Sequence, residues 1–364
     1  MNQKTLAALF ALFALFVATG CQKPPAAAAP GSPAVPAAPA LRILCWPDYT
    51  PAKVLELFTK ETGIPVEATE IHSQFEMALL LSTSPGYYDI AQPSSYGMED
   101  LMAAHLLLPL DRQALPNLAN IAPEFLNLPF DPGNRFSVPY MAGLTGIVIN
   151  TEVVKGDIRH YADIARPEWK GRLVAVSDPR DIVSWAALGL GLPVDKMDAG
   201  TLEKTRPVLQ QWFGLLATPS LHEQDSGDLL TGRAVAGAIW SGEAAALIAK
   251  DPKLRWIVPE EETRLFLDNL CVSAQTLQPA QAMKFLNFIL RPDVSKMISD
   301  EFPYTNPNLA ARKLLTPAQL ANPASYPPAL SRLRLTDSYG PIEAEIERLM
   351  SEVKEQSPQK PPNP

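Results

Sequence analysis

From Leu41 onward, short apolar runs alternate with stretches of helical periodicity, and that alternation admits few folds. Leu41–Cys45 is an apolar run of strand length ahead of the turn Trp46-Pro-Asp-Tyr49. Thr50 and Pro51 read as an N-cap and first helical residue, Val54, Leu55 and Phe58 give the helix an apolar stripe, and Gly63 closes it. Strands are predicted at 66–69 and 88–92, helices over 74–81 and 101–108, and paired strands at 138–141 and 145–150 around a bend at Gly143 and Gly146. A second alternating unit has strands at 172–177, 234–239 and 265–273 with helices over 182–190 and 202–216. Helices over 280–290 and 294–299 follow. This is the order of an α/β protein with two sheets, between which the chain crosses more than once.

The ends of the chain follow other rules. Residues 1–20 read as a signal peptide, with Lys4 as a small basic start and an apolar run over 5–17 that is short for a membrane span. Ala18-Thr-Gly-Cys21 resembles the lipobox at which bacterial lipoproteins are cleaved, with Ala in place of the commoner Leu. Cleavage there makes Cys21 a lipid-bearing N-terminus, and two or more acyl chains anchor a protein stably, a plain secretory signal with a chance Cys being the alternative. Residues 21–40 are rich in Pro and Ala and form a semi-rigid spacer that holds a globular body off a membrane. Residues 357–364 are a disordered tail.

The body of about 315 residues is too long for one ordinary core and suits two lobes. Removing residues 1–40 takes away Lys4 and Lys23 and no acid, moving the formal charge from −8 to −10. Such a body argues against nucleic acid and suits cationic ligands. Cys45 and Cys271 each sit in an apolar run and read as small buried hydrophobes, a disulfide being the alternative in an oxidising compartment.

Catalytic templates are thin: there is no G-x-S-x-G or Walker A, Gly189-Leu-Gly191 lacks the third glycine of a dinucleotide loop, and Ser351-Glu-Val-Lys354 fits S-x-x-K only within a polar terminal helix, where chance accounts for it. The four histidines share no metal-ligand spacing. No cofactor and no metal are expected. What recurs is an acid or aromatic residue just past a strand, where open α/β sheets place ligands. Trp46, Asp48 and Tyr49 follow the first strand, and Ser94, Ser95 and Tyr96 follow the third. Asp178 and Asp181 begin a helix, Trp240 and Glu243 follow another strand, Phe266 and Asp268 lie within a strand, and Tyr304 follows the later helices. Each has a structural alternative: Trp46 and Tyr49 as cover for a sheet edge, Asp178, Asp181 and Glu243 as complements to helix dipoles. Together they call for a cation, because carboxylates gathered in one cleft repel one another.

With these residues in view, the body from about Leu41 to Gly340 resembles the polyamine-binding proteins of bacterial ABC importers, within the extracellular solute-binding class. The resemblance rests on Leu57-Phe-Thr-Lys-Glu-Thr-Gly-Ile64, Leu128-Pro-Phe-Asp-Pro132, Leu290-Arg-Pro-Asp-Val294 and Pro307-Asn-Leu-Ala-Ala-Arg-Lys-Leu-Leu315. Tyr88-Asp89, Pro93-Ser94 and Pro167-Glu-Trp-Lys-Gly171 add to it. It implies a two-lobed periplasmic-binding-protein-like fold (type II) with crossover strands near 143–147 and 268–272. One lobe is expected to hold 41–143 and 271–312, the other 144–270 and 313–356. It also implies a binding protein rather than an enzyme. Trp46, Tyr49, Tyr96, Trp240, Phe266 and Tyr304 would be its ligand-contacting aromatics, and Asp48, Asp178, Asp181 and Asp268 its ammonium-binding acids. Ser94 and Ser95 would be polar contacts, and Glu243 would match the acid of putrescine binders where spermidine binders carry a small hydroxyl residue. Pro47, Phe266, His222 and Thr336 or Asp337 depart from the family pattern. The implied partners are a polyamine, an importer permease and ATPase (or a membrane signalling receptor) and a membrane reached through the lipid anchor. The protein is expected to be extracytoplasmic and monomeric.

Labelled palmitate supplied to expressing cells is expected to enter the wild-type protein and not Cys21→Ser. Equal labelling of both would remove the anchor.

Overall fold

Leu41–Cys45 forms the first strand, β1, and its buried side chains start a core that also takes in Val54, Phe58, Ile71, Met77, Leu81 and Ile90. The computed structural model describes residues 39–194, 197–217, 226–261, 264–327, 334–335 and 342–356. Cys21 and the signal peptide, most of the spacer, His222, Thr336, Asp337 and the tail lie outside the described residues. The further strands are β2 (Val66–Glu70), β3 (Ile90–Ala91), β4 (Leu107–Leu108), β5 (Ser137–Asn150), β6 (Leu173–Ala175), β7 (Ala236–Trp240), β8 (Leu254–Ile257), β9 (Arg264–Ser273) and β10 (Arg334–Leu335).

Their order is β2-β1-β3-β9-β5-β7-β6, with β4 and β10 also beside β9 and β8 beside β5. β1 runs parallel to β2 and β3, and β6 parallel to β7, as βαβ crossovers require. β9 is antiparallel to β3 and to β5, and β5 is antiparallel to β7 and β8.

Three local expectations change. Residues 138–141 and 145–150 are one 14-residue strand rather than a bent pair, because nothing polar interrupts the apolar run between them. Gly143 serves close packing there: a Cβ at that position would fall on the rings of Phe266 and Tyr304. Pro139, with no N–H to give a ladder, sits where the β5–β9 register shifts. The helix expected over 101–108 ends at Ala103, since His105 turns the chain into the left-handed region (φ 54°) and 107–108 pair with β9 instead. The first helix starts at Ala52 with Pro51, not Thr50, as its N-cap; the Thr50 hydroxyl lies 3.6 Å from Cys45 Sγ. Gly63 closes that helix as expected, at φ 73° with its N–H on Thr59 O.

Two hydrophobic cores result. In the first, Phe58 meets Phe285 and Phe288 edge-on at 5.0 and 5.2 Å. In the second, Trp185 stacks on Tyr161 at 4.8 Å and leans on Trp212. Burying each such ring contributes about 1.5–3 kcal/mol. β5 serves both cores, Ala142 in the first and Leu144 in the second, while β9 packs in the first, from Leu265 and Phe266 on. Trp240 packs against both. Cys45 and Cys271 are buried free thiols, Cys271 Sγ lying 3.6 Å from Met98 Sδ.

The second core leaves no room beside β7. Gly237 faces Val174 of β6, and a Cβ there would come 2.8 Å from the Val174 carbonyl oxygen. Gly237→Ala is expected to lower stability by about 1–3 kcal/mol, seen as a lower urea midpoint at constant slope. An unchanged midpoint would contradict this packing.

Candidate functional site

Residues from both cores line a cavity of about 390 Å³. Of the side chains expected to bind ligand, all but Ser95 line it. Ser95 lies behind the wall, where its hydroxyl accepts the Leu267 N–H at 3.4 Å and steadies β9.

The loop after β1 is shaped by its own backbone. Tyr49 N–H closes a turn on Trp46 O, and Asp48 adopts φ 62°, a left-handed conformation that a short polar side chain tolerates. Trp46 N–H donates to the Gln92 side chain at 3.2 Å, tying the loop to the end of β3. The Tyr49 ring lies 5.7 Å from Tyr304 and 6.2 Å from Phe302, and Tyr304 meets Phe266 edge-on at 5.9 Å. Tyr304 reaches this position because its other side faces Gly242, where any Cβ would strike the ring. One wall of the cavity is therefore aromatic.

Opposite charges are set among these rings. Asp268, on β9, is almost fully buried and accepts a hydrogen bond from the Ser94 hydroxyl. Burial pushes its carboxyl up to about 7 even though Ser94 and Tyr49 both hydrogen-bond to it. Asp181 accepts the indole N–H of Trp240 at 3.2 Å. Glu243 lies in the first turn of helix Ser241–Lys250 and also lines the cavity, so it complements the helix dipole and faces the site at once. Asp178 is the N-cap of helix Pro179–Gly189, accepting the Arg180 N–H at 2.9 Å. Burial raises its carboxyl, but the Arg180 guanidinium and N–H groups outweigh that and hold it below the usual range.

Arg180, Glu301, Phe302 and Glu347 also line the cavity and were not expected from the sequence. Arg180 and Phe302 stand within two residues of expected positions, which was the available signal. Glu347 had none: it arrives on helix Glu343–Gln356, far along the chain, and burial followed by the nearby Asp178 charge raises its carboxyl. In all, seven carboxylate residues line the cavity, with Arg180 the only Arg or Lys among the described lining residues. Aromatic faces alternating with carboxylates in a cleft can hold an organic cation with several separated charges.

Comparison with known proteins agrees with this chemistry. A family model described as bacterial extracellular solute-binding protein matches residues 53–327. The chain is 33% identical over 286 residues to the spermidine/putrescine-binding periplasmic protein of Escherichia coli (strain K12), covering 78% of this chain and 82% of that one. It is 30% identical over 317 residues to the putrescine-binding periplasmic protein PotF of the same strain, covering 81% and 85%. Among solved structures it is similar to the spermidine/putrescine ABC transporter substrate-binding protein PotD from Streptococcus pneumoniae. The TM-score is 0.74 at 30% identity, over 87% of this chain and 99% of that chain. The resemblance read from the sequence therefore holds, and with it the two-lobed fold. The chain belongs to the bacterial extracellular solute-binding proteins, which bind solutes for transport and are not an enzyme family.

Proposed function

We propose that this protein captures a polyamine of putrescine or spermidine type outside the cytoplasm and delivers it to an ABC importer, while anchored to a membrane through a lipid on Cys21. The observation that carries the reading is the alternation of aromatic rings and carboxylates in one cavity with contributions from both cores. The first lobe is taken as 41–143 with about 265–312 and the second as 144 to about 264 with 313–356; the return to the first lobe falls earlier than the expected 271 because Leu267 and Leu270 pack in the first core. A single copy suffices, since both walls come from one chain. The names of the relatives favour delivery to an importer over presentation to a signalling receptor.

A polyamine is an alkyl chain with separated ammonium groups, and its site must serve both parts. Trp46, Tyr49, Tyr96, Trp240, Phe266 and Tyr304 take the methylenes by apolar burial and add cation–π attraction of about 0.5–2 kcal/mol per charge. Asp48, Asp181, Glu243 and Asp268 fix ammonium groups by charge-assisted hydrogen bonds of about 1.5–3 kcal/mol each. Ser94 holds Asp268 in place. Because the contacts come from both lobes, ligand favours the closed arrangement, the form an importer recognises.

Asp268 and Glu243 have separable roles. Asp268→Asn leaves an ammonium facing a neutral amide in a buried place, and every amine is expected to lose about 2–4 kcal/mol. Glu243→Ser is expected to weaken a diamine more than a triamine, moving the preference by roughly 1–2 kcal/mol. Calorimetric titration with putrescine and spermidine reads both, and an unchanged ratio in Glu243→Ser would leave Glu243 with its dipole role alone.

The raised Asp268 carboxyl also sets a pH dependence. The folded protein holds this proton up to about 7, whereas the unfolded chain loses it near 3.8. The unliganded protein therefore gives up stability as pH rises through that window, and Asp268→Asn is expected to flatten this part of the profile. Thermal melts at pH 5 and pH 7.5 compare the two proteins; parallel profiles would show that Asp268 does not titrate there.

A further inference from the structure

Strand β5 carries one residue more than its partner β9 can pair. Ser137, Val138 and Pro139 face Cys271, Leu270 and Asn269 in step, and the next pair is Met141 with Asp268. Tyr140 is passed over as the extra residue of a β-bulge, a device that re-aims a side chain beside functional sites. Its ring is buried, 6.5 Å from that of Tyr49, and its hydroxyl donates to the Tyr49 carbonyl oxygen at 2.5 Å. Burial pushes this hydroxyl well above the usual tyrosine range, so it keeps its proton and stays a donor. Tyr140 does not line the cavity, whereas Trp46, Asp48 and Tyr49 all do.

We propose that Tyr140 is a positioning residue for ligand capture, a strut from the bulge of β5 that holds the Trp46–Tyr49 loop in its binding arrangement before any ligand arrives. The inference rests on the polyamine reading and adds to it a residue outside the ligand's reach. Tyr49 is where the strut matters, because its ring stands in the aromatic wall and its hydroxyl is bonded to Asp268. The other ties of the loop do not fix that point. Trp46 N–H is held by Gln92, and Asp48 N–H meets the exposed Glu70 carboxylate at 3.3 Å. Beyond Tyr49, the Thr50 hydroxyl meets only the Cys45 thiol, a weak partner. A loop free to shift at Tyr49 would move a wall of the cavity and a partner of Asp268 together, and binding would first have to order it.

Tyr140→Phe removes the hydroxyl and keeps the ring. Calorimetric titration at a temperature where both proteins are fully folded is expected to show putrescine and spermidine each bound about tenfold more weakly by the variant. Without ligand, hydrogen exchange at the Tyr49 amide is expected to quicken in the variant while β7, in the second core, exchanges as in wild type. A merely structural tyrosine would lower the melting temperature and leave the affinities alone. Affinities within about twofold of wild type, unchanged exchange at Tyr49, or exchange that quickens equally in β7 would each overturn the proposal and leave the polyamine reading intact. Failure of wild type to bind either amine overturns that reading, and the inference with it. Should Tyr140→Phe not fold, a crystal structure of wild type with putrescine decides. The Tyr140 hydroxyl still on the Tyr49 carbonyl, with the Tyr49 ring against the ligand, supports the proposal, and a parted pair overturns it.

Discussion

The strand from Ser137 to Asn150 is buried at every position but the last, and its hydrogen-bonded ladder places everything else. Its first half pairs with β9 and its second with β7 and β8, so one rigid element registers the two cores against each other. A strand covered on both sides must be apolar throughout, as this one nearly is, and it cannot bend without exposing backbone groups. The cavity walls inherit that register. Asp268 lies opposite Met141 and Phe266 opposite Gly143 across the β5–β9 ladder, while Trp240 pairs with Thr145 across β5–β7. A change at the joint would move the acids and rings of the cleft together.

The electrostatic economy of the cleft follows from how each acid is housed. Asp178 is satisfied by the protein itself and stays ionised, whereas Asp268 takes its hydrogen bonds from the hydroxyls of Ser94 and Tyr49 and carries its proton toward neutrality. Two carboxylates in one cavity thus differ in what they ask of a ligand. One is already neutralised by Arg180, and the other is neutralised by a proton until a cation replaces it.

Much of this was legible in the chain because strand ends are local features. A short apolar run followed by a polar turn marks its own carboxyl end, and Trp46, Tyr96 and Trp240 could be gathered on that basis before any coordinates, while Asp268 stood out as an acid within an apolar strand. What stayed hidden depends on side-chain direction or long-range packing. Ser95 differs from Ser94 by one position, and its hydroxyl turns inward to Leu267. Arg180 is one of two residues between two expected acids, and sequence spacing does not show that a side chain folds back across Asp178 to Tyr96. Glu347 reaches the cavity only because helix Glu343–Gln356 packs in the second core through Ile346, Leu349 and Val353. The joined strand at 137–150 was misread because glycine signals a bend and a close approach equally well.

The seat of Tyr304 carries one more consequence. The ring rests against Gly143 and Gly242, two residues with no side chain to offer a ligand. A methyl group at either would strike the ring and force it, and the cavity wall it forms, to shift. The depth of the cleft is thus set in part from behind, at Gly143, which does not itself line the cavity, and in part at Gly242, which does. Selection for a smaller solute could act there, leaving the recognising acids untouched and moving only the wall they face.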